Sequence, residues 1–272
     1  MGHEETTAIL TVLGSGTLLP DHGRASASYH LETTGAQVLL DCGSGTLHGL
    51  SRHGIAWREV DLVAVTHFHT DHVGDLAALF GALKFVERTR PLTLVGPRGL
   101  LRFLGHLASA FGDYVLDPGF EVRTVELTEG GDFETEGEQG LTVRCCPTPH
   151  TEESVALGVA GLWGALGYTG DTGPSDLVSA FLEGCDVLLA ECAICDPPAM
   201  DRHLSPAGVA GLARAAGPEL LVVTHVYPPQ TPEEALAHVS ALYPGRVVAA
   251  RDGLRIRIAA GVVAVDPPQD PL

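Results

Sequence analysis

The stretch Thr66-His67-Phe68-His69-Thr70-Asp71-His72 decides the reading of this chain. It follows the aliphatic run Asp61–Val65, which has the pattern of a strand buried on both faces. Four side chains of metal-ligand type fall within six residues. In an extended segment His67 and His69 point the same way, because side chains alternate along a strand. Asp71 and His72 come where the next helix is expected, from His72 to Glu87, and so address a second point a few ångströms away. A set of solvated loop histidines is the plain alternative, and the density of ligand types argues against it.

Working outward, polar residues recur just after other apolar runs. Asp41 closes Gln37–Asp41, His150 ends Cys145-Cys146-Pro147-Thr148-Pro149-His150, Asp171 lies in Tyr168-Thr169-Gly170-Asp171, and His225 follows Leu220–Thr224. Strand ends that converge on one edge are how α/β folds build a site. Strands are expected in the first half at Ala8–Leu13, Tyr29–Thr33, Gln37–Asp41, Asp61–Thr66, Leu92–Val95 and Glu121–Leu127. Further strands are expected at Leu141–Cys146, Ser154–Val159, Trp163–Thr169, Asp186–Ala190, Leu220–Thr224, Val247–Ala250 and Leu254–Ile258. Helices are expected between them at Leu47–His53, Gly99–Phe111, Ser175–Gly184, Ser205–Ala216 and Pro232–Leu242. Strands in both halves with interspersed helices predict an α/β fold of two sheets packed face to face with helices outside. With no repeat and no long linker, residues 1–272 read as one domain, and 265–272 as a frayed tail.

Composition narrows the function. The 272 residues carry 16 basic and 34 acidic side chains, a formal charge of −18, and Lys84 is the sole lysine. Such a surface argues against general nucleic-acid or anionic-membrane binding, since both require positive charge. Met1–Glu5 is acidic and lacks the features of a leader, and the Val155–Gly170 stretch is too short and glycine-rich for a membrane helix. A cytoplasmic location is therefore expected, with Cys42, Cys145, Cys146, Cys185, Cys192 and Cys195 as reduced thiols. The single pair Cys192-x-x-Cys195 lacks the second pair that a zinc ribbon would need.

In order, Asp41, His67/His69/Asp71/His72, His150, Asp171 and His225 resemble the motif set of the metallo-β-lactamase superfamily over nearly the whole chain. The resemblance implies a four-layered αβ/βα sandwich with metals at one edge. It implies one ion on His67, His69 and His150, a second on Asp71, His72 and His225, and Asp171 bridging. Asp41 is implied as a hydrogen-bonding support of the metal loop. Independently, imidazole and carboxylate without thiolate suit two divalent ions, Zn²⁺ first, with Mn²⁺ or Fe²⁺ as alternatives. Two such ions at about 3.5–4 Å can share a hydroxide acidic enough to attack at neutral pH. Two dications, the Asp71 and Asp171 carboxylates and one hydroxide leave a local charge of +1, which a phosphodiester can meet despite the −18 of the whole.

Within the superfamily, Leu13-Gly14-Ser15-Gly16-Thr17 through Ser28, and Leu40-Asp41-Cys42-Gly43-Ser44-Gly45-Thr46, are similar to the ribonuclease Z-like phosphodiesterases. Arg24 and Ser26 in that opening are candidates for lining the substrate, a surface turn being the alternative. Glu191 and Arg202-His203-Leu204-Ser205-Pro206 look like the paired Glu and His motifs of this branch, and imply His203 over the substrate with Glu191 orienting it. Asp71, His203 and Glu191 form the expected catalytic set. Members that process transfer RNA carry an extended basic arm between the positions of His150 and Asp171. Residues 151–170 have room for about two strands and contain no Lys or Arg. The expected activity is thus hydrolysis of a small, cyclic or short nucleotide phosphodiester through a metal-bridging hydroxide. Transfer RNA and membranes are not expected as partners, and a homodimer is left open. Three alternatives stand beside it: a ribonuclease Z-type RNA 3′-processing endonuclease, a glyoxalase II-like thioesterase, and a non-catalytic metal-stabilised binding module.

Overall fold

The computed structural model describes residues 6–128, 131–135 and 140–266. The first half runs β1 (Ala8–Gly14), β2 (Ser28–Thr33), β3 (Gln37–Leu40), α1 (Thr46–Arg52), β4 (Leu62–Ala64), α2 (Thr70–Val73), α3 (Leu76–Phe85), β5 (Leu92–Pro97), α4 (Leu100–Phe111) and β6 (Val122–Leu127). The second runs β7 (Asp132–Glu134), β8 (Thr142–Pro147), β9 (Val155–Gly161), β10 (Gly164–Tyr168), α5 (Asp176–Phe181), β11 (Val187–Glu191), α6 (Pro206–Ala216), β12 (Leu220–Thr224), α7 (Pro232–Leu242), β13 (Val247–Ala249), β14 (Arg255–Ala259) and β15 (Val262–Val265). One sheet has the order β15-β14-β1-β2-β3-β4-β5-β6, the other β13-β12-β11-β10-β9-β8-β7. This is the αβ/βα sandwich of the metallo-β-lactamase type.

The layers follow from the period-2 alternation of each strand. In β4, Leu62 and Ala64 face the core between the sheets, while Val63 faces outward to Leu76, Leu79, Phe80 and Leu83 of α3. In β11 and β12, Val187, Leu189, Leu220 and Val222 enter the inter-sheet core, and Leu188, Ala190, Leu221 and Val223 pack under α6 and α7. Doubly covered strands must be apolar at every position, which is why these runs show no polar residue until they end.

β3 to β6 are parallel to one another, as are β10 to β13. Their carboxyl ends therefore deliver several loops to one edge of each sheet. The two edges meet where Tyr168 at the end of β10 donates its hydroxyl proton to Asp41 after β3, and where Val155 N–H donates to Thr66 O.

Three expectations are corrected, and one strand is added that the sequence does not announce. The helix expected over His72–Glu87 starts at Thr70 and is interrupted at Gly74 and Asp75. The Asp75 carboxylate is spent accepting from Gly45 N and Leu47 N, and its own N–H donates to Cys42 O, so the chain cannot continue as one rod there. The Asp61–Thr66 strand is shorter, because Thr66 N–H leaves the ladder for the Asp41 carboxylate. Asp132–Glu134 is a strand that its acidic sequence does not announce; it forms by pairing with β8. The start of the expected frayed tail is ordered, since Val265 pairs with Ile256 and Asp266 N–H donates to Arg255 O. Residues 267–272 and Met1–Glu5, on which the expectations of a frayed end and of no leader fall, lie outside the described residues. No disulfide joins any of the six cysteines, and among the described residues no helix is long and apolar enough to cross a membrane.

Candidate metal centre

Asp41 is the keystone of the site. It is fully buried, and its φ of 56° places a non-glycine residue in the left-handed region, a strained conformation of the kind found at functional sites. Its carboxylate accepts from Thr66 N–H (2.7 Å), the Thr66 hydroxyl, the Tyr168 hydroxyl (2.7 Å) and His72 Nδ1 (2.6 Å). The Thr66 hydroxyl has one proton, which goes to Asp41, so it accepts from His67 Nδ1 at 3.0 Å. One carboxylate thus sets the tautomer of two histidines and turns the Nε2 lone pairs of His67 and His72 inward. The loop can pack this tightly because Gly43 has no Cβ; one placed there would sit 2.1 Å from Asp71 O.

The ligand-type atoms gather in two groups. In the first, His69 Nδ1 lies 3.1 Å from His67 Nε2 and 3.2 Å from His150 Nε2, while His150 Nδ1 donates to Arg202 O. In the second, His225 Nε2 lies 3.3 Å from His72 Nε2 and 3.2 Å from Asp71 Oδ2. A tetrahedral ion with ligands at about 2.0–2.1 Å spaces their atoms about 3.3 Å apart; the pairs through His69 and through His225 have that spacing, while His72 Nε2 and Asp71 Oδ2 stand wider, at 3.9 Å. Asp171 stands between them. Its Oδ2 faces His67 and His150 at 3.9 and 3.6 Å, and its Oδ1 faces His72 and His225 at 3.4 and 3.6 Å. Asp171 Oδ1 is buried without a hydrogen-bond partner, an acceptor that a cation would satisfy. His225 is held at φ 54°, and its buried Nδ1 has no anchoring acceptor, unlike the other three anchored rings.

The electrostatics ask for positive charge. Burial pushes protons off His67, helped by neighbouring His72, and burial likewise lowers His150. Burial works the same way on His72, but the Asp171 and Asp41 carboxylates outweigh it and hold that ring well above the ordinary histidine range. Burial opposes ionisation of Asp171, yet His225 and His72 hold its carboxyl well below the usual carboxylate range. Asp71 is lowered against its burial by its hydrogen bond to His225. Buried carboxylates ringed by imidazole lone pairs fit divalent cations, and a proton on His72 is the weaker substitute.

Beside this cluster, His203 Nδ1 lies 2.8 Å from Glu191 Oε1, and the His203 ring meets that of His150 edge-on at 4.7 Å. Glu191, 1% exposed, also accepts from the backbone N–H groups of Thr172, Ala193 and Leu204. Burial pushes its carboxyl up against the pull of His203, but four donors aimed at it are satisfied best by the anion. Burial would lower His203, and the hydrogen bond and charge of Glu191 outweigh it, so His203 is raised.

The structure brings His67, His69, Asp71, His72, His150, Asp171 and His225 together, with Asp41 behind them and Glu191 and His203 at one side. Arg24 and Ser26 both border the cleft that contains Asp71, and each already has protein partners. The Arg24 guanidinium is engaged by Asp21 and Val226 O, and the Ser26 hydroxyl donates to Thr17 O. Arg24 thus ties the amino-terminal loop to the residue next to His225. Thr66, Tyr168 and Tyr227 escaped the sequence reading as site residues. Thr66 and Tyr168 act through Asp41, and the Tyr227 ring packs 5.4 Å from that of His225.

Residues 36–226 match the family model described as a beta-lactamase superfamily domain. Ribonuclease Z of Mycobacterium sp. (strain KMS) is 29% identical, covering 93% of this chain and 97% of the relative. The metallo-beta-lactamase fold protein YhfI from Bacillus subtilis superimposes with a TM-score of 0.79 at 21% identity, covering 92% of this chain and 99% of that one. A diphosphatase from the PhnP family gives 0.72 at 22% identity, covering 93% and 98%. The expectation that sets transfer RNA aside gains no support from a relative named for ribonuclease activity. The matched family, the two-sheet sandwich and the His/Asp cluster at its edge agree: the chain, similar in sequence to ribonuclease Z, belongs to the metallo-β-lactamase superfamily and is a hydrolase of that fold.

Proposed function

We propose that the chain is a two-metal phosphodiesterase acting on small or cyclic phosphodiesters. The observation that carries this reading is the placement of Asp171, one oxygen toward each ligand group, with the Glu191–His203 pair beside it. His67, His69 and His150 would hold one ion, Asp71, His72 and His225 the other, and Asp171 both. Zn²⁺ suits this nitrogen and oxygen set, with Mn²⁺ or Fe²⁺ as competitors. When bound, two such ions acidify a shared water and polarise a phosphoryl oxygen. Asp41, through Thr66 and His72, keeps imidazole lone pairs turned inward. Glu191 holds His203 by Nδ1, which leaves Nε2 to carry a proton to a departing alcohol oxygen.

The small-substrate part of the reading is supported by the β9–β10 hairpin, which spans His150 to Asp171 with no inserted arm and no basic residue. The ribonuclease Z relatives favour a second reading, cleavage at RNA 3′ ends. The deciding experiment offers the metal-loaded protein an aryl phosphodiester, a cyclic nucleotide, a thioester, a β-lactam and a transfer-RNA precursor. Turnover of the diester and the cyclic nucleotide is expected. Precursor cleavage with tight, strongly salt-dependent binding would establish the second reading instead. Thioester cleavage without diesterase activity would overturn both.

A further inference from the structure

Two unlike clefts flank the candidate metal centre. On the Asp71 side lies one of about 270 Å³ that carries charge, bordered by Asp21, Arg24, Ser26, Ser44 and Thr70 as well as by Leu18, Leu19 and Pro20. On the His203 side lies an apolar one of about 430 Å³, walled by Ile194, Pro197, Met200, Pro228 and Pro229. Its polar members are His203 and Tyr227, the two side chains that reach back to the centre: the His203 ring packs on His150 and the Tyr227 ring on His225. Tyr227 also links the two clefts, its hydroxyl accepting from Leu18 N–H at 3.4 Å on the Asp71 side. Among the described residues no Lys, Arg, Asp or Glu borders the apolar cleft, in a chain with a net charge of −18.

We infer that this cleft seats a flat, weakly polar ring of the leaving alcohol, so that the substrate is an asymmetric diester with an aromatic arm toward His203 and a polar arm toward Asp71. The inference rests on the phosphodiesterase reading and deepens it. Away from His203 and the Tyr227 hydroxyl at its inner end, the wall of the cleft offers no charged side chain to repay the desolvation of an ionic group, whereas proline faces and a polarisable Met200 thioether pack well on a ring. The arm seated there is joined to the ester oxygen nearest His203, the proton donor. In the step itself, water oxygen bonds to phosphorus and the bond from phosphorus to the seated alcohol oxygen breaks. That oxygen takes its proton from His203, while the attacking water gives up one proton to solvent and His203 regains one from solvent, so the net change is hydrolysis to an alcohol and a phosphomonoester. Cleft identity and leaving-group identity are therefore one property.

Binding and product analysis test this on the metal-loaded protein. Benzylphosphonate should bind about tenfold tighter than methylphosphonate by calorimetry, the scale of burying part of an aryl ring. Benzyl methyl phosphate, whose two alcohols are nearly equal as leaving groups, should release benzyl alcohol in excess over methanol. Ala199 is exposed at the cleft wall and can accept a larger side chain. Ala199→Trp should therefore collapse the benzyl-to-methyl affinity ratio toward one. Equal affinities or equal release of the two alcohols in the unsubstituted protein would overturn the cleft assignment and leave the phosphodiesterase reading standing. Failure to bind methylphosphonate at all would overturn both.

Discussion

His72 Nδ1 lies 2.6 Å from Asp41 Oδ2, and the same buried carboxylate reaches His67 through the Thr66 hydroxyl. One side chain without a ligand role thus orients one imidazole of each ligand group. Asp41→Ala would leave Thr66 N–H, the Tyr168 hydroxyl and His72 Nδ1 without their acceptor. The expected cost is about 2–4 kcal/mol of stability. Metal affinity should fall about 10–100-fold, the usual effect of losing such a partner. Tyr168→Phe removes one of the donors and should cost about 1 kcal/mol. Chemical denaturation and metal titration of the two variants check both figures. An Asp41→Ala protein with unchanged metal affinity would show that the tautomers are set elsewhere.

Asp171 faces both ligand groups, so its loss should disturb both ions together. Metal analysis of the purified protein should approach two ions per chain, and Asp171→Ala should lower occupancy at both positions. Chelation should lower the thermal midpoint of the unsubstituted protein, because an ion bound only by the folded state stabilises it by mass action. Chelation should lower it much less in the variant. Full occupancy in Asp171→Ala would remove Asp171 from the bridging position.

Parts of this arrangement were legible before any coordinates. The histidines of the Thr66–His72 loop are neighbours in the chain, and the alternation of an extended segment places His67 and His69 together without tertiary information. The doubly covered strands were legible because burial on both faces demands unbroken apolar runs. The Asp41–Tyr168 bond was not legible: 127 residues separate the partners, and a tyrosine ending an apolar strand looks like core. The break after Val73 was hidden for a similar reason, since Asp75 leaves the helix pattern to serve Gly45 and Leu47, which are distant in sequence. The partners of Arg24 were half legible: Asp21, three residues earlier, is near in sequence, whereas Val226 O is distant.

The Glu191–His203 pair predicts a pH dependence with a definite sign. The Glu191 carboxylate raises His203 above the ordinary histidine range, so its acid form persists to higher pH. Turnover of a substrate with a poor leaving group should fall as pH rises through the His203 pKa. Glu191→Gln removes the anion, the His203 pKa drops, and that descending limb should move to lower pH. A pH profile of kcat for both proteins reads this directly. An unmoved limb would mean that Glu191 positions the loop through Thr172, Ala193 and Leu204 without tuning His203.

The sharpest test of His203 is its dependence on the leaving group. Its ring touches His150, but its Nδ1 is committed to Glu191, and each ligand group already has three protein donors besides Asp171 without it. His203→Ala should therefore retain both ions. General acid help is commonly worth about 10²–10⁴-fold, and it is needed most when the departing alkoxide is a strong base. A diester with an alkyl leaving group should thus lose kcat on that scale. A nitrophenyl diester, whose phenolate departs without a proton, should lose far less. If His203 only contacts the phosphate in ground and transition states alike, the loss should appear in KM with kcat preserved. Equal kcat losses on both substrates would exclude the proton-donor role. Loss of an ion would instead make His203 a ligand, which the grouping of Asp171, Glu191 and His203 atoms within 4.8 Å makes a fair alternative to exclude by metal analysis.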